Sequence, residues 1–589
     1  MKSASADTLL TATVVPDVTG LDKQFDYIVP DGLRDQVQVG SMVRVPLHGR
    51  RVGGWVVRIG PPDPSVDVAR LLPIAIWSGH GPSPDVIELA SWAAHRWAAG
   101  RLRPLLATAS PHTMVRALVG RPIGADPVAA AARSTTEVRL GRLLADGGGV
   151  LRVSPSDDLA EVLADVVLTG PVLAVHPSID GARQIAERLR RSGRSVALLP
   201  AEWARAAAGS TEFVVGGRSA VWATVPGLAA VVVLDEHDEA LQEERMPTWH
   251  ARDVAVERAR RAGIPCALVS PCPTVTALHW SGKRWMRPTP DDERAGWPMV
   301  EVIDRRDVEP WKRSLLSSEL IEAIRDRSLR VVCVHNAPGR ARMLACRQCR
   351  SLLRCEHCDA AVAQGDDGAL ACARCATVRP PVCQVCGSAG LATVRPGVSR
   401  LRDELEAAAV RPVVAVTADA PDPAVLAGAD VFVGTEAVLH RVADADVVVL
   451  LDIDAELLAP RYRAAEQALA LAVRAARLLG PRHRGGRLLV QTTMPDHEVI
   501  QALVATDPGV VARAEATRRR ALALPPFGAM ARLSGAGATE FAARLPLPAA
   551  ADGDGTLVRA ATWDELADAI ARTERPVERL RIEVDPARR

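Results

Sequence analysis

The chain has 589 residues, 48% of them hydrophobic, which is more than one core can hold and predicts about three to five domains. Its 72 basic residues nearly balance 70 acidic ones, so neither an acidic tail nor a polycationic chain is present and any nucleic-acid surface must be local. No apolar run approaches the roughly 20 residues that cross a bilayer, and Met1 to Asp17 lacks a basic stretch followed by a long apolar one, so the expectation is a soluble, cytoplasmic protein without a membrane partner.

The first hundred residues open with short apolar runs broken by Gly and Pro: Leu9 to Val15, Met42 to Val45 and Gly53 to Ile59. They predict a small β-rich domain. Between Gln36 and Pro62 there is no Asp or Glu, while Arg44, His48, Arg50, Arg51 and Arg58 all fall there beside Gly49, Gly53 and Gly54. Arginines held on strands can meet phosphates at little ordering cost, and glycines permit close approach; the plainer alternative is a solvated surface. Ser83-Pro84 then predicts a helix start, with Ile87, Ala90, Ala94 and Trp97 at helical spacing. Pro111 to Ala132 has weak periodicity and reads as a connector.

From about 135 the texture changes to buried-type strands alternating with helical segments: Val172 to Val175, Phe213 to Val215, Ala230 to Leu234 and Ala267 to Val269. It resumes at Val331 to Val334, Val413 to Val416, Val431 to Val433, Val447 to Leu451 and Leu488 to Gln491. Continuous Val/Leu strands between helices predict parallel sheets covered on both faces, hence two α/β lobes and a mixed tail from about 501.

Ala230 to Leu234 delivers Asp235, Glu236, His237 and Asp238 to its carboxyl end, where open α/β sheets bind ligands. In a motor ATPase such an Asp would hold Mg²⁺ and the Glu would position the attacking water. A phosphate loop with its lysine should precede it. Only four of the basic residues are lysines, namely Lys2, Lys23, Lys283 and Lys312, so the interval 24–282 offers none. The nearest match, Ser281-Gly282-Lys283-Arg284, lacks the leading Gly and the hydroxyl. The segment where the loop would fall runs from Gly149 to Asp158, and the expectation is that Asp157 and Asp158 there repel triphosphate.

Eight of the eleven cysteines form four Cys-x-x-Cys pairs: Cys346/Cys349, Cys355/Cys358, Cys372/Cys375 and Cys383/Cys386. Such turns place two thiolates on one side of a metal, so eight ligands predict two tetrahedral zinc ions with no open position for catalysis; disulfides or free thiols are the alternative. Spacing leaves sequential, crossed and nested pairings open. Arg340, Arg342, Arg347, Arg350 and Arg354 surround the pairs, as a phosphate-binding skin or merely a solvated one, and His357 is read as a spectator.

The order of these motifs resembles the PriA family of replication-restart proteins, in a degenerate form of the actinobacterial type, over nearly the whole chain. Phe25-Asp26-Tyr27 and Val43 to Arg50 resemble the family's N-terminal domain. Val215 to Ala220, Asp235 to Asp238, His250 to Ala255, Val433 to Glu436, Asp452 to Asp454, Pro460 to Glu466, Leu488 to Thr492 and Pro525 to Phe527 follow its core and C-terminal signatures. The departures are the missing phosphate loop, a coupling motif reading Ser270-Pro271-Cys272-Pro273-Thr274, an arginine-finger segment reading Arg474-Ala-Ala-Arg477, and too few residues after Trp97 for a full winged helix.

The resemblance implies an α/β multidomain protein: a β-rich 3′-end DNA-binding domain at 1–113, a linker or reduced winged helix at 114–134, RecA-like helicase-type lobes with doubly wound parallel sheets at 135–330 and 331–500, a two-zinc insertion at 346–386, and a small mixed domain at 501–589. It implies Phe25 and Asp26 at a 3′-hydroxyl pocket, with Tyr27, Arg44, Arg50 and Arg51 as further DNA contacts. It also implies nested metal sets, Cys346, Cys349, Cys383 and Cys386 on one zinc and Cys355, Cys358, Cys372 and Cys375 on the other. The expected function is fork recognition and primosome assembly, with forked DNA, primosome proteins and the helicase-loading machinery as partners and single-stranded DNA-binding protein as a further candidate. Asp235 and Glu236 are read as a degenerate nucleotide site without ATP and Mg²⁺ turnover. The alternatives are an active 3′-to-5′ helicase with a non-standard site and a zinc-stabilised RNA-binding protein.

Overall fold

A computed structural model of the chain describes residues 9–586 other than 22, 63–65, 119, 121–136, 165, 167, 307–314, 337–343, 350, 352, 354, 357–361, 365–367, 373–376, 394–397, 417–422 and 460. The N-terminal sheet is antiparallel, its five strands ordered Phe25–Ile28, Thr11–Pro16, Arg50–Gly60, Met42–Leu47, Ile76–Gly79. Alternation places Ala12, Val14, Val43, Val45 and Val56 in one small core. The turn between Met42–Leu47 and Arg50–Gly60 is His48-Gly49, both with positive φ (47° and 75°), the backbone a two-residue hairpin requires.

Helix Pro84–Arg96 starts where expected, but Ser83 does not cap it with its side chain. Its N–H donates to Thr224 Oγ1 at 2.9 Å, so the helix start is docked on the first lobe. Val86, Leu89, Trp97 and Leu106 share one continuous core with that lobe and with Ala531 and Phe541 of the C-terminal unit.

The first lobe is a seven-stranded parallel sheet in the order Trp285–Met286, Gly148–Arg152, Cys266–Ser270, Ala230–Leu234, Val172–Val175, Phe213–Gly216, Val196–Leu198. Its central strands are buried on both faces, as their unbroken apolar runs predict. The second lobe has six parallel strands, Met299–Asp304, Arg487–Thr492, Val447–Leu450, Val331–Val334, Val431–Gly434, Val414–Val416. Met299–Asp304 pairs along its whole length with Arg487–Thr492, so the second sheet begins ahead of the boundary expected at residue 330. Mixed burial along that edge strand hid it from a search for continuous apolar runs.

The cysteine segment leaves the second lobe after Val331–Val334 and forms two small antiparallel sheets, Leu344–Cys346 with Leu391–Thr393 and Val362–Gln364, Leu370–Cys372, Val378–Arg379. The chain ends in a four-stranded antiparallel sheet, Ala549–Asp552, Gly555–Ala560, Ala529–Ser534, Arg581–Val584, with helices Ala538–Arg544 and Trp563–Arg572. No helix among the described residues is long and apolar enough to cross a membrane.

Candidate functional site

The two lobes meet over the carboxyl end of Ala230–Leu234. Asp235 takes φ 48° there, a left-handed conformation that Asp tolerates better than most side chains, and is 3% exposed. Both its oxygens accept from Arg477, at 2.6 and 2.8 Å, across the lobe boundary. Burial would raise the Asp235 carboxyl; the Arg477 charge and its hydrogen bonds outweigh it and hold the group well below the carboxylate range. Arg477 Nε also donates to the Pro155 carbonyl at 3.2 Å, in the turn after Gly148–Arg152 where a phosphate cradle would stand. One turn back on helix Ala464–Leu479, Arg474 bonds Asp238 at 3.0 Å and also pairs with Glu436.

The expected arginine-finger segment and the expected metal-binding aspartate thus bind each other. Arg474 and Arg477, three apart on one helix, thus meet Asp238 and Asp235, three apart in the turn beyond the strand.

Glu236 is 1% exposed and accepts from the Thr274 N–H at 2.6 Å and the Thr274 hydroxyl at 3.0 Å, with Arg252 at 3.5 Å. Burial raises its pKa by more than these partners lower it. Its lone pairs are spent on the segment that reads Ser270-Pro-Cys-Pro-Thr274. His237 shares a hydrogen bond with Ser270 Oγ (2.9 Å), and burial pushes it down to about 4 despite the neighbouring aspartates, so it is neutral near pH 7. Asp157 accepts from the Ser154 N–H at 2.9 Å, and Asp158 accepts from the Ala160 N–H and pairs with Arg188. These two carboxylates close their own turn.

Beside this lock a cavity of about 630 Å³ opens between the lobes and the C-terminal domain. Nine carboxylates and six guanidiniums line it, a balance unfavourable to a polyphosphate.

In the cysteine segment the Sγ atoms of Cys346, Cys349, Cys383 and Cys386 all lie within 4.8 Å of one another. Cys346 and Cys386 are 3.4 Å apart and Cys349 and Cys383 3.5 Å. A tetrahedron with metal–sulfur bonds of about 2.3 Å has edges of about 3.8 Å, so the four thiols fit one metal ion. The Gln348 and Val385 N–H groups each donate to a cluster sulfur at 3.4 Å, the kind of outer hydrogen bond that orients thiolate ligands. Of the second expected set, Cys355 and Cys372 are buried in the same small core, while Cys358 and Cys375 lie outside the described residues, as do Arg340, Arg342, Arg350, Arg354 and His357.

On the N-terminal sheet Arg44, Arg50, Arg51 and Arg58 are exposed. Arg44 faces Gly53, and Arg51 faces Pro46, across one strand pair, so Arg44 and Arg51 share a face beside a glycine. Asp26 accepts from Thr13 Oγ1 at 2.5 Å and lies 3.8 Å from Arg58. Phe25 is half-buried against the core. Tyr27 corrects an expectation: it is 4% exposed, and its hydroxyl donates to the Pro46 carbonyl at 3.0 Å, so it ties two strands together instead of contacting DNA. The strand alternation that sets Asp26 on the outer face, beside Thr13 and Arg58, turns Tyr27 inward.

Residues 13–110 match the family model of the PriA 3′ DNA-binding domain. The chain is 31% identical over 591 residues to the "Probable replication restart protein PriA" of Mycobacterium tuberculosis strain H37Rv, covering 90% of this chain and 88% of that one. It is 26% identical to the replication restart protein PriA of Bacillus subtilis strain 168, over 60% of this chain and 48% of the relative. Among solved structures, RecG bound to a three-way DNA junction is similar at 12% identity and TM-score 0.37, over 73% of this chain and 52% of that one. With a relative above 30% identity along nine-tenths of its length, the chain belongs to the PriA family of replication restart proteins and carries that family's DNA-binding domain.

Proposed function

We propose that this protein recognises stalled or abandoned replication forks and promotes primosome assembly and helicase loading in the cytoplasm, with its helicase-type lobes serving as a closed scaffold and not as an ATP-driven motor. The observation that carries the reading is the Arg477–Asp235 pair, which commits the cation and the carboxylate of a nucleotide site to each other across the lobes. Fork recognition is supported by the match over 13–110, where Asp26, Arg44, Arg50 and Arg51 present polar groups on rigid strands. Asp26 and Phe25 are proposed at the 3′-terminal nucleotide, with the arginines on flanking phosphates. Zinc is the proposed metal of the Cys346/Cys349/Cys383/Cys386 cluster, and Cys355, Cys358, Cys372 and Cys375 the proposed ligands of a second ion; all-thiolate closed sites favour zinc in a structural role.

The test is ATP turnover by the full chain with forked DNA, alongside fork binding. We expect fork binding that weakens when the 3′ end is blocked or Asp26 is replaced by Ala, and no DNA-stimulated hydrolysis. Stimulated hydrolysis that is abolished by Glu236→Gln would establish the motor reading instead.

A further inference from the structure

A second cavity, of about 330 Å³, adjoins the first and shares Pro273, Pro508 and Ala512 with it, between helix Val275–Ser281, the edge strand Trp285–Met286 and helix Gly509–Ala521. Among the described residues no Asp or Glu lines it. Its walls include Trp285, Phe527 and His279 together with Arg152, Arg287, Arg513 and Arg520. Arg152 is committed to Glu293 and Asp507, and Arg513 to Asp507. Arg287 and Arg520 have no carboxylate partner among the described residues; each lies against an aromatic ring, Arg287 at 5.7 Å from Trp285 and Arg520 at 4.4 Å from Phe527. Trp285 is 43% exposed, on a strand at the sheet edge, and exposed Lys283 and Arg284 precede it. Two of the chain's rare features, an exposed tryptophan and one of its four lysines, therefore stand together beside a cationic, carboxylate-free hollow.

An accessible indole offers a flat surface on which a base can stack, and guanidiniums without a carboxylate partner attract anions. The chemistry that satisfies both at once is a planar aromatic group flanked by phosphates. We propose that this pocket takes one unstacked base of single-stranded DNA against Trp285 and Phe527, with the adjoining phosphates on Arg287 and Arg520. This rests on the reading of the chain as a DNA-binding protein, but the pocket lies outside residues 13–110 of the DNA-binding domain and would add a second hold, on a single strand.

The test is binding of the full chain to an oligothymidylate carrying one 2-aminopurine, at several salt concentrations, and to the same oligomer with an abasic site. Trp285→Ala should weaken binding roughly 5- to 150-fold, the range of one lost base–aromatic stack, and Trp285→Phe should restore most of it. Replacing Arg287 and Arg520 by Ala should lower the slope of log affinity against log salt by about 1.4, at ~0.7 per single-strand phosphate contact. The abasic oligomer should bind the wild-type chain as weakly as Trp285→Ala binds the intact one. Unchanged affinity and slope in all three variants would overturn the proposal, as would selective capture of an acidic, aromatic-ended peptide in place of the oligomer. A fork with a free 3′ end is measured in parallel. If wild type fails to bind the fork, the fork reading falls; if it binds the fork while the variants leave single-strand binding intact, only the pocket falls.

Discussion

At Asp235 a single buried carboxylate depends on one partner from the other lobe. A left-handed, buried carboxylate at the end of a strand is costly, and the two Arg477 hydrogen bonds offset that cost. Breaking an enclosed ion pair costs about 3–5 kcal/mol, but 35% of the Arg477 side chain reaches solvent, so we expect Arg477→Ala to lose about 2 kcal/mol at pH 7. Because the folded-state pKa of Asp235 is depressed, that stability is present above the unfolded value of about 3.9 and disappears as pH falls through the folded one. The gap in thermal midpoint between wild type and Arg477→Ala should therefore stay full from pH 7 down to about 4 and shrink as pH falls below it. Glu293 behaves oppositely. Burial raises it to about 7 against the pull of Arg152, so its contribution is complete below about 4.3 and is lost as pH rises through 7. Glu293→Gln keeps an acceptor for the Trp297 indole N–H, now 3.2 Å from the carboxylate, and should flatten the melting profile between about pH 4.3 and 7; an unaltered slope there would rule out Glu293 as its source.

Among the elements, the cysteine segment depends most on something other than apolar burial. Among the described residues its core is a handful, Leu344, Leu353, Val362 and Leu370 beside the cysteines themselves, too few to fold a unit alone. A metal ion held by Cys346, Cys349, Cys383 and Cys386, whose thiols can take one, would supply the difference. Chelation, or Cys383→Ser, should therefore raise hydrogen exchange across Leu344–Cys346 and Leu391–Thr393 while leaving the parallel strand Val331–Val334 protected. Metal analysis should return two zinc ions per chain, and one in Cys355→Ser. At the same scale, Cys-x-x-Cys spacing revealed the candidate ligands but left their partners undecided; the antiparallel pairing of Leu344–Cys346 with Leu391–Thr393 brings the first and last pairs together.

Across the whole molecule, the last strand stitches the parts together. Asp585, just after Arg581–Val584, accepts from Tyr462 Oη and Arg463 of the second lobe, both at 2.6 Å, while its carbonyl accepts from Gln242 of the first lobe at 2.9 Å. Burial would raise the Asp585 carboxyl, yet Arg463 and Tyr462 hold it below its ordinary range. Both side chains of the ion pair are nearly enclosed, 7% and 11% exposed, so Asp585→Ala should cost about 3 kcal/mol at pH 7 and progressively less as pH falls below about 4. Thermal unfolding would then split, with the C-terminal domain and second lobe parting before the first lobe melts. A single unchanged transition would show that the lobes do not depend on this tie.

Local chemistry made much of the protein legible in one dimension. Apolar runs marked the central strands of both lobes, thiol spacing marked the cysteines of a candidate metal cluster, and the interval 24–282 holds no lysine for a phosphate loop, because each of these is a property of neighbouring residues. Tertiary structure decided what no local pattern contains. It paired Arg477 with Asp235 across 242 positions, sent Tyr27 into the core, joined Met299–Asp304 to the second sheet and gathered Trp285, Phe527 and Arg520 around one hollow. Each of these depends on a long-range contact whose partner is set by the packing of whole sheets and helices.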